Sequence, residues 1–285
     1  MAAAALSQTS PESPQAYRAR IQEWRKSQEA DLKKEGGWLT VSGLFWLAEG
    51  DNAMGASTAC PVRLPASAPA HAGVFTLKDG HVSVQVDDGV KVTENDKPVT
   101  HQDLKADTSG APDKLILGDL TLTVIQRGKR IGIRMYDRNS KALHEFKGCS
   151  WYPIDPAYVV TATFTAYDQP KPTPITNILG DTQDVPMPGY VTFTLNGKKC
   201  RLEAQAQGDG LFINFRDLTS SKTTYPAGRF LDVPKPENGH VVIDFNQAVN
   251  PPCAFTAHAT CPLPPRGNML PVEVLAGEKT HHPVD

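Results

Sequence analysis

The hydrophobic period of this chain changes once, from about 3.6 residues to 2, at the Gly36-Gly37 pair. Upstream, Ser13 is placed to cap, Pro14 suits a first turn, and Tyr17, Ile21 and Trp24 recur at helical spacing among charges. This stretch reads as a one-sided amphipathic helix that must lie on the rest of the protein. Downstream, "VFTLKDGHVSVQV" alternates around a Lys-Asp-Gly turn, "LTLTVIQRGKRIGIRMYD" turns at Arg127-Gly128-Lys129, and "YVTFTLNGKKCRLEAQA" turns at Asn-Gly. "LFINFRD" and "HVVIDFN" complete the strands, and no later segment carries the stripe of a long amphipathic helix. The expected fold is therefore mainly β: an N-terminal amphipathic helix followed by two antiparallel β-sandwich-like lobes.

The division expected from composition is a disordered start and helical arm over 1–35, a first β lobe over 36–167, a Pro-rich connection over 168–189, and a second β lobe with a Cys/Pro-rich loop over 190–285. The connection is placed at "DQPKPTPITNILGDTQDVPMPG" because it gathers many of the residues that break regular structure. Pro 24 and Gly 22 together supply about one residue in six, above the usual ~12%, which favours short strands and many turns.

Charge and hydropathy remove several function classes. Lys+Arg 29 against Asp+Glu 31 leaves a net charge of −2 with no long basic run, so a nucleic-acid partner is not expected. No stretch approaches the ~20 apolar residues of a membrane-spanning helix. The start "MAAAALSQTSPESP" lacks the basic and long apolar parts of a secretion signal, yet an Ala run ending in small residues is compatible with a trimmed one. Cytoplasmic and exported locations both stay open, as does the oligomeric state.

No G-x-S-x-G elbow, S-x-x-K, H-E-x-x-H, phosphate-cradling loop or dinucleotide fingerprint is present, and no cofactor is called for. The five cysteines include no C-x-x-C. In "NPPCAFTAHATCPLPPRGN", Cys253, His258 and Cys261 could ligate a metal with His281 or His282, but the C-x₄-H-x₂-C spacing matches no common zinc pattern, so no metal is expected. A nucleophilic thiol would need a lowered pKa, and no flanking cation is evident. The favoured reading is a stiff structural clamp: the flanking prolines fix φ, and Cys253 and Cys261 either pack as thiols or close a short ring worth roughly 2–3 kcal/mol.

Polar residues gather near this clamp. Alternation in "HVVIDFNQAVN" sets Val241, Ile243 and Phe245 on one face and Val242, Asp244 and Asn246 on the other, at a strand end opening into the loop. "FRDLTSSKTTYPAGRF" supplies Arg216, Asp217, Tyr225 and Arg229, a set able to hold a carboxylate, phosphate or sugar hydroxyl, or to form an internal ion-pair network. Glu278 in "AGEK" is a late carboxylate with no partner visible in sequence. The aromatic strings "GLFWL" and "CSWYP" could wall a pocket or belong to the core.

The strings "GWLTVSGLFWLAEGDNAMG", "FKGCSWYPIDP", "NFRDLTSSKTTYPAGRFL", "VVIDFNQAVNPPCAF" and "CPLPPRGNMLPVEVLAGEK" together resemble the bacterial domain-of-unknown-function family 1684, from about Gly36 to Lys279. The resemblance implies a motif set falling on Asp244, Phe245, Asn246, Asn250, Cys253, Cys261, Asn268 and Glu278, and no reaction. Asp244, Glu278 and Asp217 are accordingly the catalytic candidates. Arg216, Tyr225, Arg229, Asn246, Asn250 and Asn268 are the ligand-binding candidates. The expected function is a hydrolase-like enzyme acting on a small polar or glycan-type substrate; the alternative is a non-catalytic binding or scaffold module. The enzyme reading requires the acidic end of "HVVIDFN" and the Arg-Tyr turn to meet in one open hollow, whereas a filled, dry network without a cleft favours the module.

Overall fold

The computed structural model describes residues 12–280. Helix α1 spans Pro14–Lys33, with Ser13 Oγ accepting from the Ala16 amide at 3.2 Å, and it buries Tyr17 and Ile21. It lies on the second half of the chain: Arg18 donates to the Ile154 carbonyl and Arg25 to the Tyr152 carbonyl, each at 3.0 Å. Trp24 meets Trp151 edge-on with ring centroids 5.9 Å apart. The expected one-sided plank is present.

The first lobe is a two-layer sandwich. Strands β1 (Val41–Trp46), β2 (Gly50–Gly55), β3 (Val62–Arg63), β4 (Gly73–Lys78), β5 (His81–Val86), β6 (Thr93–Glu94), β7 (Lys97–Pro98), β8 (His101–Leu104), β9 (Leu115–Leu117), β10 (Leu120–Arg127) and β11 (Arg130–Asp137) form two sheets. Their orders are β1-β11-β10-β9-β6-β7 and β3-β2-β4-β5-β8. Both hairpins read from the sequence form, with Lys78 opposite His81 and Arg127 opposite Arg130. Phe75, Met54, Val84, Leu122 and Ile133 fill the space between the layers.

A short helix α2 (Lys141–Glu145) and an irregular stretch lead into the second lobe. There β12 (Val159–Thr176), β13 (Thr182–Leu195), β14 (Lys198–Gln207), β15 (Gly210–Phe215), β16 (Arg229–Val233) and β17 (His240–Asp244) make one sheet in the order β16-β15-β14-β13-β12-β17. Among the described residues this is the lobe's one sheet. Its core is closed instead by the C-terminal tail, whose Leu270, Val272, Val274 and Ala276 pack with Val191, Leu202, Ile213 and Ile243. The Asn196-Gly197 turn, with φ of 50° and 73°, joins β13 to β14 as a tight hairpin turn requires.

Residues 168–189, expected as the connection between lobes, fall within the paired length of β12 and β13, where Pro172 faces Pro186 and Pro174 faces Asp184. The ladder is interrupted between Ala166 and Lys171, where Pro170 falls; beyond it Pro172 and Pro174 are two residues apart, so their missing N–H groups share one edge and the pairing with β13 runs on to Thr176. The chain crosses between lobes at 138–158 instead. The Cys/Pro loop also ties the lobes together: Thr256 Oγ1 donates to the Val41 carbonyl and Arg127 Nε to Thr260 Oγ1, each at 3.0 Å. Among the described residues no helix is long and apolar enough to cross a membrane.

Candidate functional site

Two segments far apart in sequence lie side by side at the junction of helix and second lobe. Trp151 bridges antiparallel to Glu278, with the Tyr152 amide on the Gly277 carbonyl at 2.9 Å and the Lys279 amide on the Ser150 carbonyl at 2.7 Å. On its other side the Glu278 amide donates to the Ala248 carbonyl at 2.8 Å. Gly277 permits this approach: its φ is +78°, and a Cβ there would meet the Ala248 carbonyl oxygen at 2.5 Å.

The result is a cleft of about 340 Å³, bounded by the end of α1, by Trp38, Trp151, Phe230 and Phe255, and by Cys149, Asn250 and Glu278. Glu278 is only 2% exposed. Its Oε2 accepts from the Asn250 amide at 2.7 Å, and the Cys149 thiol sits beside the carboxylate. Its Oε1 and the Oδ1 of Asn250 are buried with no hydrogen-bond partner. Burial pushes the Glu278 carboxyl up to about 7 against the pull of these neighbours. The same burial, with Glu278 beside it, pushes the Cys149 thiol up, so it stays protonated beside the carboxylate. Glu29 steadies the wall by accepting from the Cys149 amide at 3.1 Å and Trp151 Nε1 at 3.3 Å.

The other sequence candidates are distributed as follows. Arg229 and Asp217 form an ion pair at 2.6 Å with each side chain 1% exposed. Asp217 also accepts from the Thr219 amide at 2.6 Å and from the Thr219 hydroxyl. Arg229 donates to the carbonyls of Val274 at 3.1 Å, Ala276, and Glu278 at 3.4 Å. These residues lie behind the cleft and hold the tail that carries Glu278. Tyr225 donates to the Cys253 carbonyl at 2.8 Å. Asn268 is saturated, giving its Nδ2 protons to the carbonyls of Glu203 and Asn214 and accepting the Glu203 amide. Arg216 pairs through its backbone with Asn268 and Leu270.

Asp244 lines a different depression, of about 480 Å³, beside Tyr17, and Asn246 is buried behind it. Strand alternation ends at Asp244, and Phe245–Gln247 turns as a 3-10 segment capped by the Asp244 side chain. Tyr17 donates to Asp244 at 2.9 Å, and Asn246 is completely buried and bonded to Tyr17, Asp155 and Asp244. The structure thus brings Glu278 and Asn250 together in one cleft and sets Asp244 and Asn246 apart from the Arg229–Tyr225 turn. Cys149, Trp38 and Glu29 were not among the candidate residues. Only the aromatic string around Trp151 hinted at a pocket wall.

Among the described residues no group of three or more His, Cys, Asp or Glu is disposed to hold a metal ion, and His281 and His282 lie outside them.

Residues 144–279 match the family DUF1684, described as a protein of unknown function, and this second part of the chain belongs to that family. The solution NMR structure of the uncharacterized protein from gene locus rrnAC0354 of Haloarcula marismortui is 33% identical, covering 48% of this chain and 78% of its own, with a TM-score of 0.41. A structure from a study of phosphothreonine-dependent FHA domain interactions is 18% identical, covering 33% of this chain and 92% of its own, with a TM-score of 0.24. No curated protein matches the chain.

Proposed function

We propose, for a chain whose matched family carries no assigned activity, that the cleft takes a small hydroxyl-bearing substrate of glycan type, and that Glu278 moves a proton on it in a hydrolase-like reaction. One observation carries this reading: a carboxyl group poised near neutrality, with one buried oxygen unpartnered, lines a cleft with aromatic walls. The unpartnered oxygens of Glu278 and Asn250 are acceptors, so the complementary ligand brings hydrogen-bond donors. Trp38, Trp151 and Phe255 offer flat apolar surface, which suits a sugar ring with one apolar face. A carboxyl near 7 is half protonated at neutral pH and serves as general acid or general base.

The test is a thermal-shift screen of the purified protein against sugars, amines and organic acids, followed by a turnover assay on derivatives of whatever binds. E278Q keeps the shape but cannot exchange the proton, and with its oxygen on the Asn250 amide it sets an NH2 donor where the unpartnered Oε1 stands. The expected result is weakened binding of donor-bearing ligands, with turnover at saturating ligand reduced by about a hundredfold or more. Unchanged turnover in E278Q would reject the catalytic role, and binding with no turnover in wild type would leave a sugar-binding module. Absence of any hit among donor-bearing ligands would reject the cleft as a site.

A further inference from the structure

The Cys/Pro loop contains a second chemical feature, separate from the Glu278 cleft. Cys253 and Cys261 are both free thiols, the first half-buried and the second buried. The Pro252–Ala254 turn aims the Cys253 amide at Cys261 Sγ, 3.1 Å away, so the two residues are held against each other. Prolines 251, 252, 262, 264 and 265 stiffen both approaches, so the juxtaposition is built into the chain. The loop is tied down on both sides, by Tyr225 on the Cys253 carbonyl and by Thr256 on Val41 of the first lobe.

We propose that Cys253 and Cys261 form a redox-active dithiol that is oxidised reversibly to a disulfide by exchange with a disulfide-bearing small molecule. Cys253, the more exposed sulfur, attacks as thiolate; Cys261 resolves. In the first step the Cys253 thiolate bonds to one sulfur of the oxidant, whose S–S bond breaks and releases one thiolate with the bonding electron pair. In the second, Cys261 loses its proton and attacks Cys253 Sγ, expelling the second thiol of the oxidant. Overall two protein thiols are oxidised and one disulfide is reduced to two thiols.

The surroundings favour this chemistry. The pair titrates as a unit: the Cys261 S–H group hydrogen-bonds the Cys253 sulfur, which brings the first ionisation down and pushes the second up. The buried guanidinium of Arg134, with Nε and Nη2 unpartnered, places positive charge near Cys261. By contrast, burial pushes the Cys149 and Cys200 thiols up, which makes them inert references. Closure of the ring fixes a loop whose Pro252 and Phe255 line the cleft.

The experiment treats the full chain, first reduced, with oxidised glutathione, quenches with an alkylating agent, and reads free thiols, intact mass and cross-linked peptides. The expected product has lost two of its five thiols. It is lighter by two hydrogens, joins Cys253 to Cys261, melts higher than the reduced form, and is restored by dithiothreitol. C261S should stop at a mixed disulfide on Cys253, and C253S should react more than tenfold more slowly. Retention of all five thiols, stable separate adducts on the two cysteines, or a link to another cysteine would overturn the proposal. The wild-type reaction decides on its own even if a variant folds poorly, and it is read without reference to turnover at Glu278.

Discussion

Asp217 and Glu278 are both buried carboxylates near Arg229, and they do opposite things. Asp217 faces the guanidinium directly and has neighbouring donors from Thr219. Glu278 meets Arg229 only through its own backbone carbonyl, so its carboxyl group receives little of that charge and keeps one oxygen unpartnered. A buried charge with a complete set of partners is architecture, whereas one left short of partners is available for ligand or proton. The same contrast separates Asn268, saturated on both amide ends, from Asn250, whose Oδ1 has no partner.

Breaking the architectural side should have the largest effect. R229A leaves Asp217 buried without its cation and frees three tail carbonyls, with an expected loss of about 3–5 kcal/mol by denaturant unfolding. A loss under about 1 kcal/mol would dissolve the distinction. On the Glu278 side the sign is reversed and depends on pH. Because the folded carboxyl titrates near 7 rather than its ordinary 4.5, the native state holds the proton more tightly. Stability from this group is therefore full below about pH 4.5 and is lost as the pH rises through 7. E278Q should match wild type near pH 5 and exceed it by roughly 3 kcal/mol near pH 8, measured as unfolding free energy at the two pH values.

A smaller effect sharpens the neighbour's role. Removing the Cys149 thiol in C149A should raise the Glu278 titration midpoint further, by an amount equivalent to ~1 kcal/mol, read from the pH dependence of stability. The smallest change belongs to the separate depression at Asp244. Y17F removes the hydrogen bond the phenol gives Asp244 and the one it accepts from Asn246, and should cost a net of about 1 kcal/mol in melting experiments while leaving ligand binding at the Glu278 cleft untouched.

The candidate residues show where sequence reasoning stops. Glu278 and Asn250 were named from short motifs, and both line the cleft. Cys149 was not, because its partner lies 129 positions away and only the pairing of Ser150–Tyr152 with Gly277–Lys279 brings them together. Asp244 ends its strand, and Asn246 is buried in the 3-10 turn that follows rather than continuing the alternation. Their neighbour, however, is Tyr17 of the N-terminal helix rather than the Arg229 turn, a docking that no local pattern encodes. Residues 168–189 misled for a local reason: proline counts as a breaker unless its spacing keeps every missing donor on one edge.

The sequence by itself determined the elements: a capped helix that stops at Lys33, shortly before Gly36-Gly37, hairpins at their Gly-containing turns, and the inward faces of strands such as Val241 and Ile243. These depend on φ/ψ preference and on side chains alternating along the chain, which act over a few residues. Tertiary structure alone decided which carboxylate would be neutralised and which would be left wanting a partner. Desolvation and hydrogen bonding are set by whatever packs around a group, and around Glu278 those neighbours come from α1, from 149–151 and from 248–250.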